Sequence, residues 1–207
     1  MDSSSKYWED YYSKHPVPTN CSPFADFVTP FLKQGKRLIE LGCGNARDSK
    51  HFAKQGTNVL AIDQCEKEIG FLAEKFEDLE NLKFEAGDMT NLTGFEKSDY
   101  LYSRFTIHAI DKSGEERLIK WASSNLKTNG LFFIEVRSVK DELFGQGKAL
   151  ADNAFFSDHY RRFIVLEELI NRLSENGIEV IYSLESKGLA PYKTKDPVVI
   201  RIIGQKK

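Results

Sequence analysis

The sequence predicts an α/β fold, a three-layer, doubly wound and largely parallel sheet that closes with an antiparallel C-terminal strand. Three observations carry this expectation. Strand-like runs alternate with helix-like runs along most of the 207 residues. A glycine loop, Gly42-Cys43-Gly44, stands where one strand hands over to a helix. The last two strand-like runs are separated only by Glu185 to Pro197, too little chain for a packed crossover helix, so they form an antiparallel hairpin.

The elements follow in order. Lys36 to Leu41 (KRLIEL) reads as a buried strand, and the helix after the glycine loop runs through about Gln55, with Gly56 as its C-cap. Asn58 to Asp63 is the next strand and Glu66 to Phe76 the next helix. Leu82 to Glu85 and Ser98 to Ser103 are shorter strands. Glu115 to Leu126 places Leu118, Ile119, Ala122 and Leu126 on one helical face. Asn129-Gly130 turns the chain into the strand Leu131 to Val136. Ser138 to Ile164 shows no core element and is long for a connection, which marks it as a lid or binding segment. A helix from Leu166 to Glu175 ends at Asn176-Gly177, and Ile178 to Leu184 with Val198 to Ile203 make the hairpin.

Composition bounds the rest. With 41% apolar residues, residues 1–207 form a single domain with core enough to need neither metal nor disulfide. Twenty-nine basic against 31 acidic residues leave a charge of −2, no global reason to bind nucleic acid or an anionic membrane. The polar N-terminus predicts no signal peptide, and no run approaches the roughly 20 apolar residues of a membrane span. Cys21, Cys43 and Cys65 are an odd set without a CxxC pair, against a disulfide framework or a metal site. The expectation is a soluble protein of the cytoplasm.

A glycine loop at a strand-to-helix turn lets a ligand lie against main-chain amides. Asp63 ends the following strand, where an acid takes both hydroxyls of a ribose; its rival role is a helix N-cap. A dinucleotide site prefers a third glycine where this chain has Arg47, and it does not usually end in an antiparallel hairpin.

Residues 38–49, LIELGCGNARDS, resemble the first motif of class I S-adenosylmethionine-dependent methyltransferases. The resemblance covers roughly residues 24–207 and implies a seven-stranded, Rossmann-like sheet whose last strand is antiparallel. It implies S-adenosyl-L-methionine as methyl donor. Glu40 and Gly42 would place its methionine part and Asp63 its ribose, with Gly44 and Gln64 as further cofactor contacts. Gly87, Asp88 and Met89 would read the adenine, with a turn as the rival role for Asp88. Ser103 falls at the end of the fourth strand, inside the same pocket.

The acceptor side is less specified. His108 follows the fourth strand, where family members place acceptor-facing residues; it is the catalytic candidate, against a histidine packed on the next helix. Asp111 suits the cap of a helix beginning near Lys112. Tyr7, Trp8, Tyr11 and Tyr12 lie on an N-terminal helix within residues 1–23, either covering the sheet or forming an aromatic lid on the donor, with Tyr7, Trp8 and Tyr12 as cofactor contacts. In the inserted 138–164 segment and nearby, Arg137, His159, Tyr160, Arg161, Arg162 and Tyr192 are candidates for substrate contact. Several arginines in a loop over the crevice suit a carboxylate or phosphate, and acidic neighbours offer the alternative of a solvated charge run. The HYRRF stretch resembles one in small-molecule methyltransferases of bacterial surface-glycan and phosphonate-type pathways, and the resemblance implies an acceptor of that kind.

The resulting expectation is a methyltransferase acting on O or N of a small, polar, anionic or sugar-linked acceptor. The alternatives are a detoxifying tellurite- or thiol-type enzyme, and a non-catalytic partner subunit that binds the donor. The acidic or Asn-Pro-Pro-Tyr-like tetrapeptide expected of nucleic-acid methylation after the fourth strand is replaced by Ser103-Arg104-Phe105-Thr106.

Overall fold

The computed structural model describes residues 3–14 and 20–207. Seven strands form one sheet: β1 (Arg37–Leu41), β2 (Asn58–Asp63), β3 (Leu82–Ala86), β4 (Ser98–Arg104), β5 (Leu126–Arg137), β9 (Ile178–Ser186) and β10 (Val199–Lys206). Their spatial order is β3-β2-β1-β4-β5-β10-β9. The pairs β1–β2, β2–β3, β1–β4 and β4–β5 are parallel, while β10 is antiparallel to both β5 and β9. The expected terminal hairpin is present, with β10 inserted between β5 and β9.

Helices cover both faces. On one side α5 (Lys112–Asn125) and α6 (Leu166–Glu175) bury Leu118, Ile119, Ala122, Leu169 and Leu173 against Ile39, Leu41, Ile134 and Ile202. On the other, α2 (Pro23–Val28), α3 (Arg47–Lys54) and α4 (Glu66–Lys75) bring Phe24, Val28, Phe52 and Ile69 onto Leu38, Ala61, Tyr102 and Phe133. Alternate residues of β1 feed opposite cores, Leu38 one and Ile39 the other, as the period of a strand requires.

Three features depart from the expectations. Asn129-Gly130 is not a turn ahead of the strand: β5 already starts at Leu126 and carries Asn129 at φ 64 inside a register shift against β4. Asn tolerates that left-handed backbone, so the turn is absorbed as a bulge. The segment 138–164 is not without core structure. It holds a small antiparallel sheet, β6 (Lys148–Ala149), β7 (Ala154–Phe156) and β8 (Tyr160–Arg162), and it buries Asp141, Ala154, Arg162, Phe163 and Ile164. Strands this short leave no periodic trace in sequence. The third feature is α2, which the sequence pattern left unread. It is capped by the Ser22 hydroxyl on Ala25 N and pinned by the buried Asp48 carboxylate, which accepts from Ser22 N, Ser22 Oγ and Tyr102 Oη, each at 2.7 Å.

The N-terminal helix α1 (Ser3–Lys14) is present as expected and touches α4. Of the lid region 1–23, residues 1–2 and 15–19 lie outside the described residues. Among the described residues, no helix is long and apolar enough to cross a membrane.

Candidate functional site

The parallel strands β1, β2, β4 and β5 point their carboxyl ends toward one rim of the sheet, where ligands of doubly wound folds collect. Two groups of side chains stand there, one on the glycine loop and one on the chain after β4 and β5.

In the glycine loop, Gly42 and Cys43 both donate to the carbonyl of Ile62, at 2.8 and 2.9 Å, which turns the chain tightly around the end of β2. Gly42 and Gly44 have φ of 75° and 52°, a region closed to most side chains. Asp63 is buried and accepts from Gly44 N at 2.9 Å and from Cys65 N at 3.0 Å. Burial raises its carboxyl above the ordinary value, and the amides of Cys65, Gly44 and Gln64 pull it back. The acid is thus fixed to the loop by its own main chain. Gln64 itself is exposed.

Glu40, at the end of β1, accepts from Ser49 Oγ of α3; burial and the neighbouring Asp48 push it well above the usual carboxylate range. Asp88 is exposed and accepts from Thr90 N and Thr90 Oγ1, both at 2.8 Å, so the turn-forming role is the one its hydrogen bonds display. Gly87 donates to Asp63 O at 2.9 Å, which ties the two loops together. Met89 belongs to the α5 side of the core, and Ser103 is buried with no partner for its Oγ among the described residues.

The aromatic helix α1 lies across both groups. Tyr12 sits on the glycine loop: its Oη is 3.0 Å from where a Cβ on Gly44 would stand, and burial, then Asp63, raises its hydroxyl well above 10. Trp8 stacks on Tyr12 at 5.9 Å and meets His159 edge-on at 5.5 Å. Tyr7 stacks on His159 at 4.6 Å and donates to Asp158 Oδ2 at 3.2 Å. Tyr11 has Tyr192 and the cation Arg104 among its electrostatic neighbours, which sets the exposed Tyr192 at the outer edge of the same region.

The second group is cationic. Arg137, at the end of β5, donates through Nη1 to both oxygens of Asp141 at 3.0 Å. Arg161 contacts His159 Nε2 at 2.9 Å and Asp158 at 3.6 Å. His108, in the turn after β4, is buried, and its Nδ1 has no hydrogen-bond partner among the described residues. Burial, then Arg137, Arg161, His159 and Arg162, lower its imidazole well below 6.5. Arg137 is itself lowered by burial, held up by Asp141 and lowered by Arg161.

For two of the expected substrate contacts the structure shows other partners. Arg162 is buried, donates through Nε to Ile110 O at 3.1 Å and pairs with the fully buried Glu115, which also holds Arg172. Tyr160 shares its face of β8, with Arg162, Asp111 and Asp152 as electrostatic neighbours. The period of two explains both: within Tyr160-Arg161-Arg162 only Arg161 turns toward His108, and its neighbours turn toward α5 and α6. Asp111 caps α5 as expected, accepting from Gly114 N at 2.6 Å.

Sequence reasoning passed over Phe105. It carries a left-handed backbone, φ 56°, which for a bulky residue costs about 1–3 kcal/mol and persists only where surrounding bonds impose it. No sequence signal marks such a residue. Asp141, which orients Arg137, carried a weak one, the i,i+4 spacing of opposite charges.

Comparison with known proteins agrees with this architecture. A family model described as a methyltransferase domain matches residues 13–183. A candidate methyltransferase of Geobacillus sp. (strain WCH70) is 26% identical over 143 residues, covering 65% of this chain and 57% of that relative, so the chain spans little more than half of the relative's length. The Burkholderia thailandensis 1,6-didemethyltoxoflavin-N1-methyltransferase, solved with 1,6-didemethyltoxoflavin and S-adenosylhomocysteine, superposes with a TM-score of 0.71 at 17% identity, covering 100% of this chain and 92% of that one. The [4+2]-cyclase SpnF superposes at 0.73 and 14% identity, covering 97% and 92%. At such identities the likeness is one of fold alone.

Proposed function

The chain belongs to the methyltransferase domain family, and from that premise we propose that it transfers a methyl group from S-adenosylmethionine to an oxygen or nitrogen of a small, polar, anionic molecule. The observation that carries this reading is the reach of α1, whose Tyr12 lies on Gly44 beside Asp63 while Tyr7 and Trp8 lie on His159 beside Arg161. One helix thus borders a glycine-and-acid loop fit for the donor and a cationic cluster fit for an anion.

The glycine loop fits the donor because Gly42 and Gly44 bring bare main chain to the rim and Asp63 stands ready-fixed at its edge. Gly42 and Gly44 would hold the methionine part, Asp63 the ribose, and the 87–89 turn the adenine. S-adenosylmethionine supplies a methyl group already activated on a sulfonium and departs as S-adenosylhomocysteine. What remains for the protein is orientation, which in well-ordered sites contributes roughly 7–11 kcal/mol. Arg137 and Arg161 hold the charge of the acceptor. His108, kept neutral at pH 7, takes the proton of an attacking hydroxyl or amine at its free Nδ1. A soft neutral acceptor would have no use for these cations.

Calorimetric titration with S-adenosylhomocysteine, with NADH as the control ligand, tests the reading. Micromolar binding of S-adenosylhomocysteine alone is expected. Preference for NADH, or no binding of either, overturns it.

A further inference from the structure

The geometry assigns Phe105 as a positioning residue of the cationic cluster after β4 and β5, a wedge that sets the Arg137 guanidinium to receive one oxyanion. The assignment rests on the methyltransferase reading above and names what that site would recognise.

Phe105 is conformationally out of place. Among the described residues, the other non-glycine positions with positive φ are Ala46, Asn129, Asp152, Asn153 and Lys193, so Phe105 is the one bulky apolar side chain held there. Two hydrogen-bonding groups impose the conformation. Phe105 N donates to Glu135 O at 2.8 Å, and the single hydroxyl proton of Thr106 is shared between Leu41 O at 2.9 Å and Arg104 O at 3.0 Å. The turn is thereby tied to β1 and to β5 at once, and strain so firmly maintained at a ligand-facing rim points to a role for the ring it presents.

That ring meets two cations. The guanidinium carbon of Arg104 lies 4.4 Å from its centroid and that of Arg137 5.6 Å, with the His108 ring at 5.4 Å. The electron-rich faces of an aromatic ring attract such groups and let two like charges approach one another. The two arginines differ in what remains to them. Arg104 pairs with Glu135, which is fully buried and also held by Arg201. Among the described residues Arg137 is bonded through Nη1, to Asp141, which leaves Nε and Nη2, the other side of its planar fork, for a ligand. Two parallel donors of that kind match two oxygens of a carboxylate or a phosphoryl group. Phe105 fixes where the fork points, and Arg161 adds a second positive charge nearby.

The test uses the full chain saturated with S-adenosylhomocysteine, titrated separately with acetate and with inorganic phosphate. Calorimetry and the arginine Nε–Hε resonances are followed, with Arg137→Gln assigning the signal. In the wild-type protein the Arg137 resonance moves with at least one anion, and the arm that moves it tells carboxylate from phosphoryl. Phe105→Tyr keeps the ring and the affinity. Phe105→Leu weakens anion binding fivefold or more while the S-adenosylhomocysteine affinity stays unchanged. Phe105→Gly, which relieves the backbone strain, folds and shows the same loss, so that unfolding does not account for it. Unchanged anion affinity in the Leu and Gly variants overturns the assignment, as does an Arg137 signal that answers neither anion. In either case intact S-adenosylhomocysteine binding leaves the methyltransferase reading standing; its absence in the wild-type protein overturns that reading itself.

Discussion

Thr106 fills the space that a side chain at Gly42 would need. Its Oγ1 lies 2.6 Å from the position of a Gly42 Cβ and donates to the carbonyl of Leu41, so the turn after β4 closes directly onto the loop after β1. The two loops that would hold donor and acceptor are therefore packed as one unit.

Gly42→Ala meets both a positive φ and this contact, and should cost about 2 kcal/mol or more. For a chain of this length that corresponds to a fall in melting temperature of roughly 4–8 °C. Thr106→Ala in the same chain removes the obstructing methyl and hydroxyl. The double variant should thus be more stable than the sum of the single effects, by about 1 kcal/mol. Strict additivity in thermal melts would show that the two residues do not oppose each other.

Arg161 and Arg162, adjacent in sequence, should fail in different assays. Arg162→Ala leaves Glu115 with Arg172 as its remaining cation in a fully buried site, and breaking such a pair costs about 3–5 kcal/mol. Calorimetric melting should show it. Arg161→Ala should leave the melting temperature within about 2 °C and raise the KM for the acceptor several-fold. Equal loss of stability in both variants would make Arg161 structural too.

Glu40 gives a pH signature in stability. Its folded-state carboxyl lies above its unfolded value, because of burial first and Asp48 second. The folded protein therefore holds this proton more tightly than the unfolded chain. The corresponding stability is fully present below the ordinary carboxylate range and is lost as pH rises through the folded-state value. Glu40→Gln can still accept from Ser49 and carries no charge, so it should gain on the order of 1 kcal/mol at pH 7 and nothing at pH 4. Urea denaturation at both pH values measures the difference.

His108 predicts a pH profile for activity. Its folded-state pKa is lowered, by burial and by Arg137 before the other cations, so the imidazole stays neutral and able to accept a proton to well below pH 6.5. The acid limb of kcat/KM should accordingly fall below that value. His108→Gln should lower kcat by about 10²-fold, the lower range for a general base, and abolish that limb. The linkage with folding has its own sign: a lowered histidine contributes stability above its unfolded pKa and loses it as pH falls toward the folded value. A limb centred at 6.5 or above would remove His108 from the proposed role.

Much of the scaffold was legible because its signals are local. β2 and α6 match the boundaries expected from sequence, and Asp111 caps α5 where a cap was expected. The glycine loop and Asp63 were legible through spacing, since nineteen residues separate Gly44 N from the carboxylate it meets. Signals that depend on distant chain were not. Arg162 and Glu115 are 47 residues apart, and only the fold shows that the second arginine of the pair is spent on that carboxylate. Ser22, Asp48 and Tyr102 join α2, α3 and β4 in the same way. The sheet of β6, β7 and β8 escaped notice because two- and three-residue strands carry too little pattern. The backbone of Phe105 is imposed by Leu41 and Glu135, neither of which announces it in the sequence.

Trp8 stands between Tyr12 and His159 in the α1 stack, while the chain's other tryptophan, Trp121, packs on Phe95 of the opposite core. Indole emission responds to any change in its stacking. With Trp121 replaced by Phe, the fluorescence of a single residue becomes an optical gauge of where α1 lies, readable in real time as each ligand arrives.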